Sequence, residues 1–259
     1  MIYLEALEKR RAGSGYPWST EVLRENTVFR FEQPVTLLCG DNGCGKTTLV
    51  ELIAAKLHAE RISTAAALSE GQRNILRAAD GWKISMKAKP GHCFLFTAES
   101  FTRYIDYVSA EKRFAQEELD ALDGKYGSEY ARQLAAQPFA GTLAALEGLY
   151  DRPLEQQSHG QGFLDFFRAR LRPNGLYLLD EPEAALSYVN QLALIYLMQE
   201  AEAAGSQFIV ATHSPILMAY PQAALYEMRS GCLTRKLYHE MDSIRFLRRF
   251  LSDPNSLLN

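Results

Sequence analysis

Gly40-Asp41-Asn42-Gly43-Cys44-Gly45-Lys46-Thr47 is the stretch on which the reading of this chain turns. It has the form G-x-x-x-x-G-K-[ST], and its flanks are those the form requires. The apolar run Val35-Thr36-Leu37-Leu38-Cys39 precedes it as a strand, and Leu49, Leu52, Ile53 and Leu57 follow at helical spacing. Three glycines let consecutive N–H groups turn inward as an anion nest at the positive end of a helix. In such a P-loop, Gly40, Asn42, Gly43, Cys44 and Gly45 cradle phosphates, with Thr48 in the helix turn behind them. Lys46 reaches the β- and γ-phosphates, and the Thr47 hydroxyl ligates Mg²⁺. The expected ligand is a nucleoside triphosphate.

Composition sets the frame around this loop. The 259 residues suit one large α/β domain or two small ones, and 47% hydrophobic residues suffice for a sizeable core. A net charge of -3 gives no global attraction to nucleic acid or to an anionic membrane. Two local basic clusters, Arg168/Arg170/Arg172 and Arg245/Arg248/Arg249, read first as solvated helix faces. Of the four cysteines, Cys39, Cys93 and Cys232 lie in or beside apolar strand-like runs and read as buried thiols of a reducing compartment. The N-terminal residues lack a signal-peptide pattern, and no apolar run approaches the ~20 residues of a membrane span. The expected setting is cytoplasmic, with no direct membrane insertion.

Along the chain, Ile2 to Leu7, Val28 to Phe31, Trp82 to Lys87 and Cys93 to Thr97 read as strands. Residues 60–80 read as mixed polar and small, with Glu70-Gly71-Gln72 as punctuation. From Ser100 to about Gln157 the pattern is helical, with a helix start at Ser109-Ala110-Glu111 and Phe114, Leu119 and Leu122 on one face. Beyond it come a helix near 162–171, the strand Leu176 to Asp180, a helix near 186–204, the strand Phe208 to Thr212, two further strands and a short basic helix. Alternating strands and helices argue for a layered α/β domain with a helical insertion. The division expected is a core of residues 1–98 and 159–259 around a helical lobe of residues 99–158.

Three downstream features share the chemistry. Leu176-Tyr177-Leu178-Leu179-Asp180-Glu181-Pro182 ends a buried strand in two acids, at the sheet edge where α/β folds bind ligands. Asp180 there holds the Mg²⁺ shell, and Glu181 orients and polarises the attacking water. Ala211-Thr212-His213-Ser214-Pro215 ends the next strand, with His213 able to bond a γ-phosphate or that water. Ser158-His159-Gly160-Gln161-Gly162 opens the helix before the acidic strand and offers a second anion site. Tyr16 and Trp18, ahead of the loop, are aromatic candidates for stacking on a base, against the plainer reading of packing.

The order P-loop, Ser-x-Gly-Gln, apolar-Asp-Glu-Pro, Thr-His-Ser resembles the ABC-type ATPase superfamily, and is similar to small AAA-family ATPases near its RecF, SMC and OLD-type branch. The segments Leu95 to Phe101 and His213 to Pro221 are similar to that group too. The resemblance implies an α/β P-loop NTPase fold, an ABC-type ATPase head with a mixed β-sheet core and a short helical insertion. It implies Mg-dependent ATP hydrolysis with Lys46, Glu181 and His213 as catalytic residues. It also implies a head-to-tail homodimer in which Ser158, Gly160 and Gln161 of one copy close on ATP held by the other. Glu99 stands at the position of the glutamine that touches metal in transporter-type relatives, so Thr47, Asp180 and Glu99 form the implied metal set. His159 replaces the first signature glycine, and Cys44, where serine is common, is a candidate for oxidation. The leading expectation is the motor or switch of a nucleic-acid-linked system, for repair or phage defence, working with a nuclease or other effector and with nucleic acid. The alternative is the ATPase subunit of a membrane transporter. A third reading, a switch that hardly hydrolyses ATP, is opposed by the retained Glu181.

Overall fold

An apolar strand with no alternation must be covered on both faces, and three such strands form the middle of this fold. The computed structural model describes residues 1–62, 68–122, 125–126, 128–147 and 159–257. In chain order it runs β1 (Leu4–Lys9), α1 (Glu21–Glu25), β2 (Val28–Arg30), β3 (Val35–Cys39), α2 (Lys46–Leu57), β4 (Glu60–Arg61), α3 (Glu70–Ala79), β5 (Trp82–Met86) and β6 (His92–Thr97). The helices α4 (Ala98–Ala121), α5 (Glu129–Glu147) and α6 (His159–Arg170) follow. Then come β7 (Gly175–Asp180), α7 (Tyr188–Ala203), β8 (Gln207–Thr212), β9 (Ala224–Arg229), β10 (Cys232–Lys236) and α8 (Asp242–Ser252). The chain forms two units: Met1–Arg61 with Ala65–Ala98 and Arg172–Asn259, and Ile62–Thr64 with Glu99–Leu171.

The first unit holds a seven-stranded sheet in the order β10-β9-β3-β8-β7-β6-β4. All its neighbours pair parallel except the β9–β10 hairpin, so the sheet is mixed. Every residue of β3, β7 and β8 is buried. A smaller antiparallel sheet, β2-β1-β5, shares a core with it through α1, α2 and α3. One side chain joins the two sheets: buried Gln207 accepts from the backbone N–H of Tyr3 (2.7 Å) and Leu4 (2.8 Å) and donates to Leu4 O (3.0 Å).

The second unit is helical where it is described. Phe101, Tyr104, Val108 and Ala115 form the buried stripe of α4. Phe101 and Tyr104 meet the rings of Phe163 and Phe166 on α6, and Arg170 lies 3.9 Å over the Phe166 ring. No helix among the described residues is long and apolar enough to cross a membrane.

Four expectations are corrected. The segment near 60–80 contains α3, opened by a capping box in which Ser69 and Gln72 exchange side-chain bonds to each other's N–H. No helix starts at Ser109: α4 runs through from Ala98 because its buried stripe continues across that position. Phe114 is exposed, since Ala115 and not Phe114 lies on the stripe. Cys232 is exposed, because β10 is an edge strand open on one side, and Cys93 on β6 is half-buried; only Cys39 is fully enclosed.

Candidate functional site

The site grows from the C-terminal edge of three adjacent strands. β8 lies between β3 and β7, with Cys39 level with Thr212 and Asp180 level with Ala211. The P-loop, the acid pair and the histidine turn therefore leave the sheet side by side, where parallel sheets bind ligands. The loop's conformation needs its glycines. Gly40 has φ 145°, and a Cβ there would stand 2.4 Å from Met228 O. Gly45, at φ 98°, caps α2, and a Cβ there would strike Val22 of α1 at 2.4 Å.

Lys46 is buried and donates through Nζ to the loop carbonyls of Gly40 (2.7 Å) and Asp41 (2.9 Å). The Cys44 sulfur is 3.8 Å from the same amine. The Thr47 hydroxyl donates to Asp180 Oδ1 at 3.1 Å, so the start of α2 and the end of β7 meet. Burial pushes the Asp180 carboxyl up to about 7; the Thr47 hydrogen bond opposes this, Glu181 and Glu51 add to it, and Lys46 opposes it. Glu51, enclosed on α2, pairs with Arg61 at 2.7 Å.

Glu181 follows in a left-handed conformation, φ 48°, held by its N–H bond to Ala211 O (2.9 Å). A non-glycine residue in this region is strained, and such strain gathers where a side chain must be aimed. The Glu181 carboxylate is partly exposed, with Oε1 3.9 Å from His213 Nδ1. His213 is half exposed and lines a cavity of about 570 Å³ together with Gly40, Asp41 and Asn42. Thr48 is buried, and its hydroxyl is 3.4 Å from that of Tyr16. Trp18 instead stacks on Trp82, with centroids 5.9 Å apart, which assigns it to packing.

Thus Gly40, Asn42, Gly43, Cys44, Gly45, Lys46, Thr47, Thr48, Asp180, Glu181 and His213 share one edge of the first unit. Glu99, Gly160 and Gln161 belong to the second. Glu99 is exposed on the first turn of α4 and ion-paired with Arg103. Gly160 is buried in the first turn of α6, while Gln161 faces Asp165 (3.4 Å). Ser158 lies outside the described residues. Sequence reading passed over Glu183 and Gln191, which hold the histidine turn; the signal for Glu183 was a third acid within four residues of Asp180.

Mg²⁺ suits the donors present. A hydroxyl and a carboxylate oxygen converge at Thr47 and Asp180, both hard ligands, and no cluster of three His, Cys, Asp or Glu exists among the described residues. A cation that takes one or two protein oxygens and completes its shell with phosphate and water fits that set.

Residues 96–219 match the family described as "AAA domain, putative AbiEii toxin, Type IV TA system", and residues 19–80 match an AAA domain family. The cytochrome c biogenesis ATP-binding export protein CcmA of Xanthomonas axonopodis pv. citri is 34% identical over 181 residues, 68% of this chain and 72% of that protein. The cobalt import ATP-binding protein CbiO of Salmonella typhimurium is 27% identical over 199 residues, 76% of this chain and 68% of its own length. A nucleotide-free ATP-binding cassette from an ABC transporter superposes with TM-score 0.53 at 20% identity, covering 98% of this chain and 97% of that one. The Smc head domain from Pyrococcus furiosus, bound to the C-terminal domain of ScpA, gives 0.51 at 14% identity, covering 97% and 100%. Both likenesses are of fold. With a P-loop closed by its own lysine, an acid pair and a histidine on neighbouring strand ends, and a relative more than 30% identical across most of its length, the chain belongs to the ABC-type ATPases of the P-loop superfamily, which bind and hydrolyse ATP.

Proposed function

We propose that this chain is the ATP-driven motor or switch of a nucleic-acid-linked system, of the repair or defence kind, working as a nucleotide-sandwiched homodimer with a nuclease or other effector. The juxtaposition of Lys46, Thr47, Asp180, Glu181 and His213 at one sheet edge carries the catalytic half of this reading. The toxin–antitoxin description of the family matched by residues 96–219 supports the biological half.

In this reading Lys46 exchanges its loop carbonyls for the β- and γ-phosphates, while the loop N–H groups and the α2 dipole hold the triphosphate. Thr47 and Asp180 would hold Mg²⁺, which neutralises charge on the phosphate oxygens when bound. Glu181, aimed by its strained backbone, accepts a proton from the attacking water. His213, at the neighbouring strand end, accepts a hydrogen bond from that water through Nε2. Tyr16, exposed and next to Thr48, is the remaining aromatic candidate for the base. Glu99 is proposed as an outer metal contact only after release from Arg103. Ser158, Gly160 and Gln161 are proposed to cap the nucleotide of the partner copy.

The test is steady-state ATPase kinetics with and without double-stranded DNA. Glu181→Gln should retain ATP binding and lose roughly 100-fold or more in kcat, as removal of a general base does. Lys46→Ala should lose ATP affinity as well. Wild-type turnover in Glu181→Gln would remove the catalytic assignment. Stimulation by DNA is expected; none would favour the second reading, the ATPase subunit of a membrane transporter, to which the names of CcmA and CbiO point.

A further inference from the structure

We propose that Glu183 is a positioning residue for ATP hydrolysis, fixing the turn that carries His213 and the orientation of its imidazole. The inference rests on the role given to His213 above. Glu183 lies on the short 3-10 turn Pro182–Ala185 that follows the acid pair, and its side chain is 4% exposed. A single oxygen, Oε1, accepts from the Thr212 hydroxyl (2.6 Å), the His213 N–H (2.7 Å) and the Ser214 N–H (3.1 Å), and His213 Nδ1 lies 3.3 Å away. The other oxygen is buried and makes no hydrogen bond among the described residues.

Enclosing a carboxylate with one oxygen unserved is costly, so the arrangement is not the cheapest way to close a turn. A negative charge does what a neutral amide does less well: it strengthens each of these bonds and attracts the proton of a facing imidazole. With the Nδ1 proton directed at Glu183, Nε2 becomes the atom free to serve the cavity that His213 lines with Gly40, Asp41 and Asn42. Glu181 is farther from Nδ1, at 3.9 Å, and is left for the water. A second link holds the same turn independently. The Ser214 hydroxyl donates to Gln191 Oε1 (2.5 Å), and Gln191 Nε2 donates to Leu186 O (3.1 Å). The turn can therefore keep its place when only the charge at Glu183 is removed.

The experiment compares Glu183→Gln, His213→Ala and the double variant by ATP hydrolysis, with the His213 imidazole observed by ¹⁵N NMR in the full chain. Glu183→Gln should lower kcat about tenfold with KM for ATP within about twofold, and the double variant should be no slower than His213→Ala alone. In the wild type the imidazole should carry its proton on Nδ1, moving toward Nε2 in Glu183→Gln. Wild-type kcat in Glu183→Gln beside a slow His213→Ala overturns the proposal alone; so do additive losses in the double variant. A wild-type imidazole protonated only on Nε2 overturns it without recourse to any variant. If His213→Ala turns over normally while Lys46→Ala is dead, the role of His213 fails and Glu183 with it, but the ATPase assignment stands.

Discussion

Asp180 pairs with the Thr47 hydroxyl and is enclosed at the end of a strand buried along its whole length. Burial raises its carboxyl from the ordinary 3.8 to about 7, and the sign of the consequence is fixed. An acid with a raised folded-state pKa contributes stability that is fully present below the unfolded value and lost as pH rises through the folded one. The nucleotide-free chain should therefore lose stability at this residue between about pH 4 and pH 7. Asp180→Asn keeps the acceptor for Thr47 and removes the charge. It should unfold higher than wild type at pH 8, by ~8 °C on the scale of ~1.4 kcal/mol per pH unit, with the gap closing toward pH 4. The same variant should lose Mg-dependent hydrolysis, separating what the residue does for catalysis from what it does for the fold. Thermal unfolding followed across pH decides it; a midpoint gap independent of pH would refute the charge argument.

At the scale of elements, the helices and strands that carry chemistry were legible because backbone geometry and side-chain type coincide there. Glycines in the loop, an uninterrupted apolar run before Asp180 and a histidine after Thr212 each leave a local trace. What escaped was held by partners distant in sequence. α1 is only five residues long, and its Val22 and Leu23 are buried against the core rather than arranged in a readable period. α3 did leave a trace, the Ser69–Gln72 capping box, but its glycine and polar residues resembled a turn. Gln207 lies just ahead of the run read as the strand Phe208 to Thr212, yet it clasps β1 from more than 200 residues away. Replacing it with Leu would leave two buried N–H groups and one carbonyl without partners. The expected loss is roughly 2–4 kcal/mol, seen as a lower urea midpoint with an unchanged slope. A midpoint equal to wild type would show that the smaller sheet does not depend on this clasp.

For the whole molecule, the first unit offers a triphosphate one side of a cage. Lys46 is enclosed behind the P-loop, but Asp41, Asn42, Gly43 and Thr47 are exposed, and His213 and Glu181 are respectively half and about a third open. Bound nucleotide at such an edge keeps its outer face toward solvent, where water weakens every electrostatic contact. A second copy that covers that face strengthens those contacts and is favoured by the nucleotide through mass action; hydrolysis removes the γ-phosphate that both copies would grip. Blocking the chemical step should therefore trap the closed form. Glu181→Gln with saturating ATP and Mg²⁺ should elute at twice the mass of the same variant with ADP, measured by size exclusion with light scattering. The shift should vanish when Lys46→Ala is added, because the trigger is then not held. Persistence of the monomer at saturating ATP, with binding confirmed separately, would mean that this chain completes its site with a different protein rather than with itself.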